Sequence, residues 1–155
     1  METVDIRQAD VEDAEALTAV YRSAYQENRR LGFPAKAESV TPETVEEWIE
    51  ADRVYVAEIE DELVGGVRLT KTDPERVKLS RLAVHEDWKG SGIGSGLVDH
   101  AESTVRTRGE TTIWLTTPGE HPYLPGFYRS RGYEKTGNYP LEYRDYDEIV
   151  LEKQV

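Results

Sequence analysis

The sequence predicts an α/β domain in which a mainly antiparallel hairpin region is followed by a strand–loop–helix–strand unit. Three observations lead there. Segments with a helical apolar period alternate with short runs of strand formers. Two such runs, Val54–Ile59 and Leu63–Leu69, are joined by the polar turn Glu60-Asp61-Glu62 and read as a hairpin. Glycines at 90, 92, 94 and 96 lie between a long strand and a periodic helix.

In chain order, Val4–Arg7 is a short strand. Asp10 caps the first helix, with Asp13 three residues on in capping-box position. Ala14, Leu17, Val20, Tyr21 and Ala24 repeat at helical spacing. Residues 27–39 are polar, contain Gly32 and Pro34, and are predicted as a loop. Thr41-Pro42 is an N-cap followed by proline at the first helical position, and Val45, Trp48 and Ile49 form the apolar face of that second helix. After the hairpin, a polar loop at 71–76 carries Pro74. A third strand runs over Val77–Val84.

The large apolar side chains of this strand sit at Val77 and Leu79, then at Leu82 and Val84, so the alternation slips by one residue around Ser80-Arg81. A β-bulge absorbs such a slip, and bulges often lie beside active sites. A strand buried on both faces, or one that tolerates Arg81 at its edge, fits the pattern equally. Beyond the glycine-rich turn, Ile93, Leu97, Ala101 and Val105 share one helical face, and Gly109 ends that helix. Thr111–Thr116 is the next strand. Pro122 and Pro125 introduce a short helix through Phe127-Tyr128, Gly132 ends it, and Tyr133–Thr136 and Ile149–Leu151 supply two closing strands.

The 155 residues suit one domain spanning 1–155, large enough for an ordinary core. The chain has no cysteine, which excludes disulfides and thiolate metal sites. Its histidines, His85, His100 and His121, lack close ligand spacing, so no metal is expected. The start of the chain lacks a signal-peptide pattern and no apolar run is long enough to span a bilayer, so no membrane association and a cytoplasmic location are expected. With 31 acidic and 19 basic residues the formal net charge is −12, a field that repels nucleic acid. The acidic residues either attract cationic substrates such as amines or form a solubilising surface, as in proteins that work in high salt; their spread along the chain favours the second reading.

The glycine-rich segment carries the chemistry. Alternate glycines let the backbone approach a ligand, and the following helix offers free N–H groups and a partial positive charge. That combination suits a pyrophosphate, with Lys89 adding a cation at its mouth. A P-loop requires lysine after its last glycine, and a dinucleotide fingerprint requires G-x-G-x-x-G. Neither spacing is present.

The stretch Leu79–Leu97, L-S-R-L-A-V-H-E-D-W-K-G-S-G-I-G-S-G-L, resembles the acetyl-CoA motif [QR]-x-x-G-x-[GA] of the GNAT superfamily of N-acetyltransferases. Gly92 and Gly94 match the two small positions, and Lys89 stands where the family has arginine or glutamine. A second segment, Leu124–Tyr133, is similar to the family's later motif F-Y-x-x-x-G-[FY]. The resemblance covers essentially the whole chain. It implies a mixed, mostly antiparallel central sheet flanked by helices, an α/β (α+β) fold with a bulged strand at the acetyl-CoA site. It further implies that Lys89, Gly90, Ser91, Gly92, Ile93, Gly94 and the adjoining Ser95 cradle the CoA pyrophosphate, and that backbone groups of Leu82, Ala83 and Val84 pair with the pantetheine arm.

The activity implied is acetyl transfer from acetyl-CoA to a primary amine, which must be neutral to attack. A site for this needs an oxyanion donor, a proton sink and a proton source. The resemblance makes Tyr128 the proton source, against the reading of a core aromatic beside Phe127, and a backbone N–H near Val84 the oxyanion donor. The family's usual strand glutamate falls at or near Ser80, which is not a base but can hold a water. His121 has the intrinsic pKa of a base, and also the position of a solvent-facing loop histidine. Tyr25, Glu27, Tyr139 and Tyr143 are candidates to line the acceptor site. The alternative function is a CoA or acyl-CoA sensor without turnover. A homodimer is compatible with the sequence but not legible in it.

Overall fold

The computed structural model describes residues 3–33, 40–139 and 146–155. The chain forms β1 (Asp5–Gln8), α1 (Ala14–Arg30) and α2 (Pro42–Ala51), followed by the strands β2 (Arg53–Ile59), β3 (Glu62–Asp73) and β4 (Arg76–Val84). Then come α3 (Ile93–Thr107), β5 (Thr112–Pro118), α4 (Leu124–Ser130), β6 (Glu134–Tyr139) and β7 (Glu148–Gln154). The seven strands make one sheet in the order β1-β2-β3-β4-β5-β7-β6. Every pairing is antiparallel except β4 with β5. The mixed, mostly antiparallel sheet expected from the sequence is therefore present.

Local signals acted as predicted at several points. Asp10 and Asp13 form a reciprocal capping box, and Thr41 caps α2 with Pro42 at its start. Glu60 and Asp61 both adopt positive φ, 49° and 68°, which makes the two-residue turn that suits a twisted hairpin.

Three boundaries differ from the sequence reading. Residues 27–30 continue α1 rather than opening a loop; Arg29 and Arg30 sit in its last turn, where cations complement the helix dipole. The 71–76 loop shrinks to a turn, because β3 runs to Asp73 and Pro74 occupies the one place where no ladder N–H is needed. The closing strands are longer, with β6 starting one residue later and β7 one residue earlier than expected. Tyr133 leaves β6 to enter the core, and its hydroxyl donates to the buried Glu102 carboxylate at 3.1 Å.

The slip in β4 is a bulge. Gly66 pairs with Ala83 and Arg68 with Ser80, so β4 spends one residue more than β3 across this interval. Arg81 takes up the surplus with φ +53°, in the left-handed region that an L-residue rarely adopts. Val77 and Leu79 before the bulge, and Leu82 and Val84 after it, face the same core as a result.

That core lies between the sheet and the α3/α4 side, with Leu97, Val98, Ala101, Ile113 and Leu151 fully buried. A second core fills the space between the sheet and α1/α2 around Leu17, Val20, Tyr21 and Val45. Each fully buried aliphatic side chain of this kind contributes about 1.5–3 kcal/mol. Adjacent glycines in β3 set how close the two layers come. A Cβ on Gly65 would meet Ile93 and Leu97 of α3 at 3.0 Å, and one on Gly66 would meet Leu17 of α1 at 2.6 Å. Successive residues point to opposite faces of a strand, so this pair lets a helix settle onto each side of β3 next to the bulge.

Candidate active site

β4 and β5 are paired only over Arg76–Lys78 and Thr112–Trp114. Beyond those residues the two strands part, and Leu79–Val84 and Leu115–Pro118 form opposite walls of a cleft of about 880 Å³. That volume is in the range of small-molecule sites. The edge of β4 that faces it has no ladder partner there among the described residues.

At one end of the cleft stands the glycine loop. Gly90 and Gly92 have φ of +82° and +85°, and Gly92 is the residue from which α3 starts. Nothing lies within 4 Å of where a Cβ would be on either. The loop thus presents bare backbone and the positive end of a fifteen-residue helix to open space. Of the predicted phosphate cradle, Lys89, Gly90, Gly92, Ile93, Gly94 and Ser95 line the cleft. Ser91 does not; its hydroxyl donates back to the Trp88 carbonyl. Lys89 pairs with Glu27 of α1, which also accepts from the Tyr123 hydroxyl at 2.7 Å. The Lys89 hydrogen bond, assisted by that of Tyr123, holds the Glu27 carboxyl below its usual range.

The strand residues Leu82, Ala83 and Val84 also line the cleft. The carbonyl of Leu82 is turned at the bulge toward α1, where it accepts the Tyr25 hydroxyl at 3.1 Å. Across from them is Tyr128, 5 % exposed, with Phe127 and Tyr133 packed edge-on at 5.1 and 5.6 Å. Its ring is part of the core, packed beside Phe127, and it also lines the cleft. No hydrogen-bond partner engages its hydroxyl among the described residues. Burial raises its pKa well above the ordinary phenol value, so it keeps its proton at neutral pH.

His121 is neither a free base nor a solvent-facing loop residue. It is 5 % exposed and does not line the cleft. Its Nδ1 accepts from the backbone N–H groups of Tyr123 and Leu124 at 3.3 and 3.2 Å, where α4 begins. That fixes the proton on Nε2, which donates to Asn28 Oδ1 at 3.2 Å. Both ring nitrogens are occupied in holding α4 against the end of α1, and burial lowers the pKa. Ser80, Tyr25, Glu27 and Tyr139 line the cleft as expected. Tyr143 lies outside the described residues.

The sequence reading missed the other end. Arg68 of β3, Lys78 and Arg81 of β4 and Glu148 of β7 line the cleft there. No motif marks them. They come from three strands, and Arg81 reaches the α2 side only because the bulge rotates it; its guanidinium lies 5.3 Å from the Trp48 ring. Among the described residues no group of His, Asp or Glu is placed to hold a metal, and no helix is long and apolar enough to cross a membrane.

A split sheet, a helix whose start presents bare glycine backbone, and a protonated tyrosine across the gap make up an α/β domain with an open strand edge beside a loop suited to an anion. The chain belongs to the acetyltransferase (GNAT) family, whose model matches residues 15–133. It is 29% identical over 137 residues to the S-alkylcysteine N-acetyltransferase of Bacillus subtilis, covering 83% of this chain and 77% of that protein. It is 30% identical over 112 residues to the uncharacterized N-acetyltransferase YvbK of the same organism, covering 72% of each. The fold is shared with the PaiA N-acetyltransferase of Thermoplasma acidophilum, solved in complex with coenzyme A, at a TM-score of 0.84 and 19% identity over 99% of both chains.

Proposed function

We propose that residues 1–155 act as a single acetyltransferase domain that moves an acetyl group from acetyl-CoA to a primary amine of a small molecule or protein. The observation that best supports this is the parted β4/β5 cleft, which joins an anion-binding glycine loop at one end to an unpartnered tyrosine hydroxyl and a set of charged side chains further in. Acetyl-CoA supplies an acetyl thioester, and its transfer to an amine releases a thiol.

The chain's own groups fit that ligand. The N–H groups of residues 90–94, at the positive start of α3, suit a pyrophosphate, and the open φ-positive backbone at Gly90 and Gly92 leaves room for it. Lys89 adds a cation beside it once Glu27 shares it. The free edge of β4 suits the amides of a pantetheine arm as an added strand would. The Leu82 carbonyl is taken by Tyr25 and the Ala83 carbonyl faces β3, 3.1 Å from where a Gly65 Cβ would stand, so Val84 carries most of that pairing. Tyr128 Oη holds the proton that the departing sulfur needs.

A primary amine with an ordinary pKa of about 10.4 arrives as ammonium and must lose a proton. Glu148 is the carboxylate for that step. It lines the cleft, accepts from Thr116 Oγ1 at 3.2 Å, and has no ion-pair partner among the described residues, whereas Glu27 is committed to Lys89. Calorimetry with acetyl-CoA, with ATP and NAD as controls, tests the reading. Micromolar binding of acetyl-CoA alone, followed by thiol release in the presence of amines, is the expected result. Absence of binding to folded protein overturns it, and binding without release from any amine leaves only the sensor alternative.

A further inference from the structure

The chain carries a large excess of carboxylates, 31 against 19 basic residues. Its cations are accordingly well supplied with partners. Arg7, Arg53, Arg76, Arg131 and Lys153 each meet a carboxylate, and at the inner end of the cleft Arg68 is held by Asp52 at 2.6 Å. Two cations in that same place are not matched. Arg81 forms no ion pair among the described residues, and its Nε is buried without a hydrogen-bond partner. Lys78 likewise forms no ion pair there; its ammonium lies 5.1 Å over the Trp114 ring. Burial pushes the Lys78 ammonium below its ordinary pKa; Glu148 opposes this, and Arg81 and Arg68 add to it, which places these four groups in one another's fields.

Desolvated cations left without an anion are costly, and a guanidinium fork matches a carboxylate with two parallel hydrogen bonds. The backbone shows the same commitment. Continued alternation from Val77 and Leu79 would turn Arg81 into the α3-side core. The bulge, with Arg81 itself in the left-handed region, brings its guanidinium instead over Trp48 of α2 while Arg81 still lines the cleft. The stacked Trp48 faces both Arg68 and Arg81, at 4.8 and 5.3 Å, and holds the two guanidinium groups on the α2 side.

We propose that the acceptor is an amine that also bears a carboxylate, of the class of amino acids and short amino-carboxylates, with Arg81 and Lys78 receiving the carboxylate and Glu148 the amino group. This rests on the acetyltransferase reading above. It sets aside the reading in which the acidic residues attract a purely cationic amine, since four of the six charged residues lining the cleft are basic. The same positive field also favours the neutral, nucleophilic form of the amine.

The test is thiol release from acetyl-CoA with matched pairs, each an amino acid and its decarboxylated amine: methionine with 3-methylthiopropylamine, leucine with isopentylamine, phenylalanine with phenethylamine. Acetyl-CoA binding is measured on the same sample. At least one acid should exceed its amine in kcat/KM by on the order of tenfold or more, the size of one charge-assisted contact. Arg81→Gln should raise the KM for that acid and narrow the acid-to-amine ratio by about the same tenfold. Should that variant not fold, Lys78→Met should narrow the ratio in the same direction. Amines turned over as well as the acids, or neither class turned over by protein that binds acetyl-CoA, overturns the carboxylate assignment alone. Folded protein that does not bind acetyl-CoA overturns the acetyltransferase reading, and this proposal with it.

Discussion

The two ends of β4 face the same neighbouring strand in opposite ways. Over Arg76–Lys78 the strand is laddered to β5, and at its start the charges are matched: Arg76 to Glu152 at 2.9 Å, and Arg53 to both oxygens of the buried Glu110 at 3.0 Å. From Leu79 onward the ladder stops and a bulge turns one side chain over; Lys78, the last laddered residue, and Arg81 beyond it form no ion pair with a carboxylate among the described residues. Open backbone edges and unmatched cations would both be penalised in a closed interior. Their coincidence in one cleft separates the part of the strand that holds the fold together from the part that waits for a ligand. Substitutions should therefore divide into those that cost stability and those that cost chemistry.

The largest effect should come from the open end. Tyr128→Phe removes only a hydroxyl that no other group of the described chain uses, and should lower kcat about 10²- to 10⁴-fold while leaving acetyl-CoA affinity close to that of the parent. Stopped thiol-release kinetics beside calorimetry would measure both, and an unchanged kcat would move the proton source elsewhere. The matched end should respond in the opposite sense. Glu110→Ala leaves Arg53 uncompensated in a largely buried place and should cost about 3–5 kcal/mol in urea unfolding, with turnover per folded molecule near that of the parent. A stable variant with poor turnover would break the division.

Gly92→Ala sharpens the comparison at the glycine loop. No atom obstructs the new Cβ, so the loss of stability should be confined to the cost of positive φ, about 1–2 kcal/mol. A loss of acetyl-CoA affinity beyond that would report a ligand lying against this backbone.

The smallest effect concerns His121, which sits near the cleft but belongs to the matched class. Its folded pKa is depressed by burial, so the unfolded chain binds the proton more readily. Stability from this residue is complete above the unfolded value of about 6.5 and is lost as pH falls below it toward the folded value. The slope from one such group is at most about 1.4 kcal/mol per pH unit. Urea midpoints between pH 7.5 and 5.5 should fall, and His121→Gln should flatten the decline, leaving the part that comes from His100, whose pKa burial also lowers. An unchanged pH dependence in that variant would mean that His121 is not held neutral.

The elements legible in the sequence were those that local rules govern. Asp10, Thr41 and Pro42 announced two helix starts, alternation gave the hairpin, and four glycines before a periodic helix marked the anion loop. The slip between Leu79 and Leu82 located the bulge to within a residue, because a strand with one buried face cannot hide a change of register. The helical turn at 27–30 and the strand residues at 71–73 were not legible. Polar residues there obey no apolar period, and it is packing and ladder pairing that extend the elements through them.

The sequence by itself determined the order of elements, the place of the glycine loop, the register slip and the candidate tyrosine, since each depends on neighbours along the chain. Only the tertiary structure decided that β4 and β5 part after three residues, that His121 caps α4 rather than serving as a base, and that Arg68, Lys78, Arg81 and Glu148 converge. Those four residues come from three strands. Whether a charge is matched depends on what the fold brings opposite it, a property no spacing along the chain encodes.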